Sequence, residues 1–376
     1  MFWIRCATLS SAIVGVLAAL LIYRKVRQAK IASTLRIKGP QGIVEERFVS
    51  IGGIEQWISI RGEDESNPVL LVIHGGPGSC YSIFTPHLRA WEKHFTVVQW
   101  DQRGAGKTFG RMGSRSQGEL TLKLLTSDGI EVADYLRARL RKDKLFLLAS
   151  SMGSTFGMQI ARLRPDLFHA YIGTDQNVGL VRGREEDHRR VIERLRTLGL
   201  TKGVRAIERM GADATLWTRD DYEAFARWTM KSDPAGFRRT IKLLKDAVWY
   251  APGWRLGDVR AFVAGMRFSL EQLLPEIVRY DAWAQGTRFA LPIFIFQGEN
   301  DVLTTPALAR AFFDDIAAPM KQMDLISGAG HFAAFLEPEQ FLEKLLTYVR
   351  PLACMACAEG EHWSRGAGRL GGLHAG

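Results

Sequence analysis

The sequence predicts an α/β fold in which a mostly parallel sheet is flanked by helices. From residue 69 onward, short apolar runs of strand length alternate with stretches of helical periodicity, the pattern of parallel strands joined by crossover helices. Between residues 178 and 286 the strand signal disappears, and two further strands follow it, so a helical insertion interrupts the alternation. A chain of 376 residues is long enough for one large domain carrying such an insertion.

The elements follow in order. Residues 47–51 and 54–60 flank Gly52-Gly53, a two-residue hairpin signal that would form the antiparallel edge of the sheet. A strand at 69–73 is followed by one at 95–100, a helix at 127–140, a strand at 145–148, a helix at 154–163 and a strand at 170–173. After the insertion, strands are expected at 291–296 and 323–326, with a helix opening near Pro306 and a closing helix at 337–348. The insertion holds Trp217, Trp228, Trp249, Trp254 and Trp283. It is expected to act as a cap that excludes water and shapes a pocket, its tryptophans packing between cap and core.

Chemistry concentrates at strand ends. The strand at 145–148 runs through Ala149, Ser150, Ser151, Met152 and Gly153 into a helix. Small residues there permit the sharp strand-to-helix turn that lifts one hydroxyl, Ser151, above a sheet. A strand–turn–helix with a capping serine would give the same local pattern. Chain order separates the two: Asp301 follows one late strand and His331 the next, giving Ser151, Asp301, His331. That is the order of nucleophile, orienting acid and base in α/β-hydrolases, and it makes these three the candidate catalytic residues. Upstream, the strand at 69–73 runs into His74-Gly75-Gly76-Pro77-Gly78, where the Gly76 N–H can face a developing oxyanion. The Met152 N–H is the second expected donor, and Gly75 is a candidate substrate contact.

With these residues in view, the chain resembles the prolyl aminopeptidase (proline iminopeptidase, S33) branch of the α/β-hydrolases. HGGPG at 74–78 and DQRGAGKT at 101–108 match that branch's HGGPG and DQRGxGxS, and the resemblance runs from about residue 45 to 351. Thr108 stands where the branch has serine, and ASSMG at 149–153 replaces GGSWG, so the tryptophan beside the nucleophile is missing. The resemblance implies an α/β-hydrolase fold with an inserted helical cap and acids in that cap that bind a substrate amine. Glu185, Glu186 and Glu223 are the counterparts available, though solvated helix surface is the simpler reading of each. Asp101 and Arg103 read as residues that fix loops by hydrogen bonds, and Lys107 as solvated. The GAGKT run at 104–108 is not a phosphate-binding loop, because Asp101 occupies the position of its first glycine.

The formal charge is +10, but residues 1–38 hold seven basic residues and no acid, which leaves +3 for the rest. Nucleic-acid binding is therefore not implied. Residues 6–23 are uncharged and followed at once by Arg24, Lys25 and Arg27. They read as a single-pass membrane anchor with a basic flank on the cytoplasmic side, a signal sequence being the alternative. The expected organisation is an anchor and juxtamembrane segment at 1–38, core at 39–177, cap at 178–286, core again at 287–351 and a low-complexity tail at 352–376. Cys6, Cys80, Cys354 and Cys357 give no disulfide framework, and the single C-x-x-C has no second pair to close a zinc site.

The functional expectation is a serine hydrolase that cleaves an ester or amide through an acyl-enzyme, with no metal or organic cofactor. A small molecule or short peptide is the expected substrate, and the membrane the expected partner of the N-terminal segment. A prolyl aminopeptidase-like peptidase is the first reading, and a membrane-associated esterase or other small-molecule hydrolase the second. A non-catalytic binding protein of the same fold is the third.

Overall fold

The structure is a computed structural model that describes residues 2–354, with side chains from Val14 onward. The expected tail falls mostly on residues 355–376, and these, with Cys357 and the side chain of Cys6, lie outside the described residues.

An eight-stranded sheet forms the centre. Strand β1 (Ile43–Ile51) and strand β2 (Ile54–Gly62) pair antiparallel around Gly52 and Gly53, whose φ angles of 54° and 76° suit the two-residue turn. Strands β3 (Val69–Ile73), β4 (Thr96–Asp101), β5 (Leu145–Ser150), β6 (Phe168–Thr174), β7 (Ile293–Gly298) and β8 (Lys321–Ile326) complete it in the order β1-β2-β4-β3-β5-β6-β7-β8. Every neighbouring pair from β4 to β8 is parallel. Side-chain alternation builds a core on each face: Leu71, Leu145 and Leu147 join one cluster, Leu70, Phe146 and Leu148 the other.

Helix α1 (Phe2–Thr34) precedes the sheet. Helices α2 (Gly106–Met112), α3 (Leu122–Leu140) and α4 (Gly153–Leu163) lie between its first strands. Helix α3 starts five residues before the expected point, because the Thr121 side chain accepts from the Leu124 N–H and caps an earlier turn. Between β6 and β7 the chain forms α5 (Arg184–Thr197), α6 (Thr201–Met210), α7 (Arg219–Lys231), α8 (Pro234–Tyr250), α9 (Leu256–Ile277) and α10 (Ala282–Gln285). Helix α11 (Pro306–Asp315) joins β7 to β8, and α12 (Ala333–Leu336) and α13 (Pro338–Lys344) close the chain.

The expected membrane anchor is overturned. Among the described residues no helix is long and apolar enough to cross a membrane. The uncharged run is short and diluted by Cys6, Thr8, Ser10, Ser11 and Gly15, and helix α1 runs on through the basic flank without a break. That flank is partly committed to protein contacts. Arg24 is 2 % exposed, and its Nε and Nη2 donate to the carbonyls of Trp249 and Trp254 at 2.8 and 3.0 Å. The Gln28 amide donates to Ala251 and Trp254 carbonyls. The charges read as a juxtamembrane flank thus include one that donates to carbonyls at and just past the C-terminal end of α8, where the last carbonyls need donors from elsewhere. The membrane partner and the membrane localisation fall with the anchor.

Replacing Arg24 with Met strips the donor from the Trp249 carbonyl and is expected to destabilise the fold by about 1–3 kcal/mol. Thermal unfolding of Arg24→Met beside Lys25→Met, an exposed neighbour, checks this: equal melting temperatures would mean that the Arg24 hydrogen bonds add nothing to stability.

Candidate active site

The turn after β5 brings Ser151 to a φ of 52°, left-handed and unusual for a residue with a side chain. The Ser151 N–H donates to Thr174 O at 3.1 Å, and its carbonyl accepts from Ser154 N at 2.9 Å, which ties the turn to β6 and to α4. Space is the other requirement. A Cβ on Gly75 would stand 2.8 Å from the Ser151 Cβ, and one on Gly153 would press into the His74 carbonyl. Ala149 stands where the resembled branch has glycine, and its methyl is accommodated by Gly157 on α4, where a Cβ would come within 2.6 Å.

The structure brings Ser151, Asp301 and His331 together. His331 Nε2 lies 3.0 Å from Ser151 Oγ, and His331 Nδ1 lies 2.8 Å from Asp301 Oδ2. Asp301 has no free oxygen. Leu303 and Thr304 N–H groups donate to Oδ1, and the Gln297 amide and Thr304 hydroxyl donate to Oδ2. With Oδ2 accepting at Nδ1, the neutral form of the imidazole carries its proton there and presents Nε2 as acceptor for the serine hydroxyl.

A second buried acid escaped the sequence reading. Asp175 follows β6 directly and is fully buried. Its Oδ1 accepts from the N–H groups of Phe332 and Ala333 at 3.1 and 3.2 Å, just past His331. Its Oδ2 accepts from the Ser150 hydroxyl at 3.0 Å, which is 2.9 Å from the Tyr81 hydroxyl. Asp175 therefore straps the serine turn to the histidine loop. The available signal was its place immediately after a strand, the same kind of place that marked Asp301. Burial pushes Asp175 up to about 6, with the charge of Asp301 adding to the rise and His331 opposing it. For His331 burial works downward, but the carboxylates of Asp301 and Asp175 outweigh it and lift the imidazole to about 9.

Donor atoms of Asp175, Asp301 and His331 lie within 4.8 Å of one another, a spacing that could also hold a metal ion. Their oxygens are already engaged by the hydrogen bonds above, an arrangement through which a proton can pass between Ser151 and His331.

The remaining expected site residues frame this centre. Gly76 has a φ of 128°, and neither its amide nor that of Met152 donates a hydrogen bond among the described residues. His74 is held by the Gly75 carbonyl at Nδ1 and the Gln102 N–H at Nε2, and burial lowers it to about 4, so it fixes the loop as a neutral ring. Arg103 forms a buried pair with Asp128 at 3.0 Å and donates to the Gln117 and Gly52 carbonyls. Asp101 accepts from the Lys107 N–H, and burial raises it to about 6. Thr108 keeps the hydroxyl of the branch's serine, donating to the Asp101 carbonyl and accepting from Trp57 N. Lys107 is less solvated than expected, lying over the Trp57 ring at 4.1 Å and beside Glu46 at 3.3 Å. Glu185, Glu186 and Glu223 are exposed, and Glu186 pairs with Arg189 and Arg190.

Residues 68–338 match the family described as alpha/beta hydrolase fold, and the chain belongs to that family. It is a hydrolase of this fold, and it is similar to prolyl aminopeptidase-like members. The Bacillus subtilis (strain 168) protein named "Probable aminopeptidase YbaC" is 26% identical over 309 residues, covering 80% of this chain and 95% of that protein. A proline iminopeptidase of Lactobacillus delbrueckii subsp. bulgaricus is 23% identical over 306 residues, covering 80% and 96%. The solved proline iminopeptidase of Mycobacterium smegmatis shares the fold with a TM-score of 0.57 at 19% identity, covering 83% of this chain and 100% of that one.

Gly157→Ala is expected to overpack the elbow against Ala149 and destabilise by about 1–3 kcal/mol. Adding Ala149→Gly is expected to restore most of that loss. Urea unfolding of the two single variants and the double variant reads the coupling, and simple additivity would show that the two residues do not compete for space.

Proposed function

We propose that the protein is a serine hydrolase that cleaves an amide or ester bond through an acyl-enzyme, with short peptides as its first substrate class. The observation that carries this reading is the hydrogen-bonded line Ser151 Oγ, His331 Nε2, His331 Nδ1, Asp301 Oδ2, at 3.0 and 2.8 Å, on a serine with left-handed backbone. The Ser151 oxygen attacks the substrate carbonyl while His331 Nε2 takes its proton. Asp301 holds the imidazole and stabilises it as imidazolium. The amides of Gly76 and Met152 donate to the oxyanion of the tetrahedral intermediate. The His331 proton then passes to the leaving group, and a water activated at Nε2 releases the acyl group. The peptidase reading is supported by the aminopeptidase and proline iminopeptidase names of the relatives.

One observation favours the esterase or other small-molecule reading. The three glutamates considered as amine-binding residues are exposed on the helix surface. The helices between β6 and β7 serve in either case as the cap over the site.

Ser151→Ala is expected to lower turnover of prolyl-aminomethylcoumarin, or of a short-chain nitrophenyl ester, by at least about a thousandfold. Labelling of the wild type by a fluorophosphonate probe, absent in Ser151→Ala, separates an enzyme from a binding protein. Unchanged hydrolysis in the purified variant would sink the assignment.

The pH profile gives an independent check. The general base must be neutral, and His331 is raised to about 9, so kcat/KM is expected to climb with pH until it levels near that value. Asp175→Asn removes a negative charge that favours the imidazolium while retaining an oxygen for the Phe332 and Ala333 N–H groups. The rising limb is expected to move to lower pH, and a limb that stays in place would mean that Asp175 exerts no field on His331.

A further inference from the structure

The hydrolase chemistry leaves one cleft unexplained. It is a small cleft, with a cavity volume of about 40 Å³, between α5 and α7 on one side and the loops after β6 and β7 on the other. Two of its walls reach the site. Thr304 lines it and donates its hydroxyl to Asp301 at 2.7 Å. Asn177 lines it and lies, by its side-chain amide, 3.9 Å from the sulfur of Met152, the residue after the nucleophile. The charged side chains in the lining are Arg184, Asp187, Arg190 and Arg194, and Asp187 is already engaged by Arg190 at 3.0 Å. The cleft is therefore net positive.

Arg184 is the unusual member. It opens α5 and is 8 % exposed. Its guanidinium packs against two adjoining rings, 4.0 Å from the Trp217 centroid and 4.1 Å from that of Phe225, which are themselves 4.9 Å apart. Its in-plane edge is not matched: Nε and Nη2 are both buried and neither has a hydrogen-bond partner. Burial lowers this arginine to about 10, which leaves it charged at neutral pH. A buried cation with unmet donors is unfavourable unless an acceptor reaches it. Nε–H and Nη2–H on one edge of a guanidinium are the parallel pair that a carboxylate accepts with both oxygens.

We propose that this cleft is a subsite for a carboxylate on the substrate, held by the in-plane edge of Arg184. The proposal deepens the serine-hydrolase reading and rests on it only for where the reacting bond lies. The end of the substrate away from Ser151 is then anionic, and recognition there is opposite in sign to the binding of a free amine by cap acids. The carboxylate comes from one of two sources. It is the free C-terminus of a dipeptide, on the leaving-group side, or a carboxyl on the acyl side of a small ester.

Paired substrates distinguish the two sources. Pro-Ala against Pro-Ala-amide tests the leaving-group side, and mono-p-nitrophenyl succinate against p-nitrophenyl butyrate tests the acyl side. The quantity read is the ratio of kcat/KM within a pair, which a general loss of folded enzyme does not alter. Wild type is expected to favour the carboxylate member of one pair by about ten- to a hundredfold, carried in KM, as one charged hydrogen-bonded contact implies. Arg184→Met is expected to abolish that preference, and Arg184→Lys to restore part of it. Ratios near one in both wild-type pairs, or a preference that survives Arg184→Met, overturn the subsite. If turnover proves independent of Ser151, the nucleophile reading has failed by itself, and the subsite is tested by titrating succinate while following tryptophan fluorescence, since Trp217 packs against Arg184. A saturable change lost in Arg184→Met supports the subsite; no saturable change overturns it.

Discussion

A serine held at a φ of 52° where β5 ends is a strained residue, and such strain, about 1–3 kcal/mol, persists only when the surroundings leave no alternative. Here the surroundings are specific. The turn is pinned through its N–H to Thr174 and through its carbonyl to Ser154, and the glycines at 75 and 153 allow neighbouring chain to close on it from two sides. Relaxing that one torsion would turn the Ser151 hydroxyl away from His331. The positions of the Gly75-Gly76 loop and of α4 both follow from accommodating it.

The same economy recurs across the site. Ser151, Asp175 and Phe332 are three of the four non-glycine residues with positive φ among the described residues, and each directly follows a strand or His331. Asp175 links them, accepting from the Phe332 N–H on one oxygen and from Ser150, the neighbour of Ser151, on the other. Strain and hydrogen bonding therefore sit in one connected unit, and each strained residue is restrained by the others. The electrostatic consequence is that His331 faces two carboxylates in a dry environment, which favours its charged form despite burial.

Legibility in the sequence varied with the range of the interaction. The strand at Val69–Ile73 and the helix ending at Leu163 were readable because an apolar run or a helical period is local. Ser151, Asp301 and His331 were readable because parallel strands all deliver their C-terminal ends to one edge, so chain order carries spatial meaning. Asp175 also follows a strand, but no family motif or known order singled it out. Arg184 looked like one more basic residue on a charged helix; its packing against the adjoining rings of Trp217 and Phe225 is what makes it distinctive. The N-terminal segment was misread for a related reason. Arg24 looks like part of a solvated flank until α8 and the turn after it present carbonyls to its guanidinium.

The sequence by itself determined the α/β architecture, the strand ends on which the chemistry stands and the three side chains expected there. These follow from periodicity, turn composition and chain order. Only the tertiary structure decided that Ala149 is tolerated because Gly157 faces it, that a second acid lies beside His331, and that a buried arginine is among the residues lining the cleft beside the site. Each of these depends on which distant residue fills the space next to a side chain, and close packing settles that only when the chain has folded.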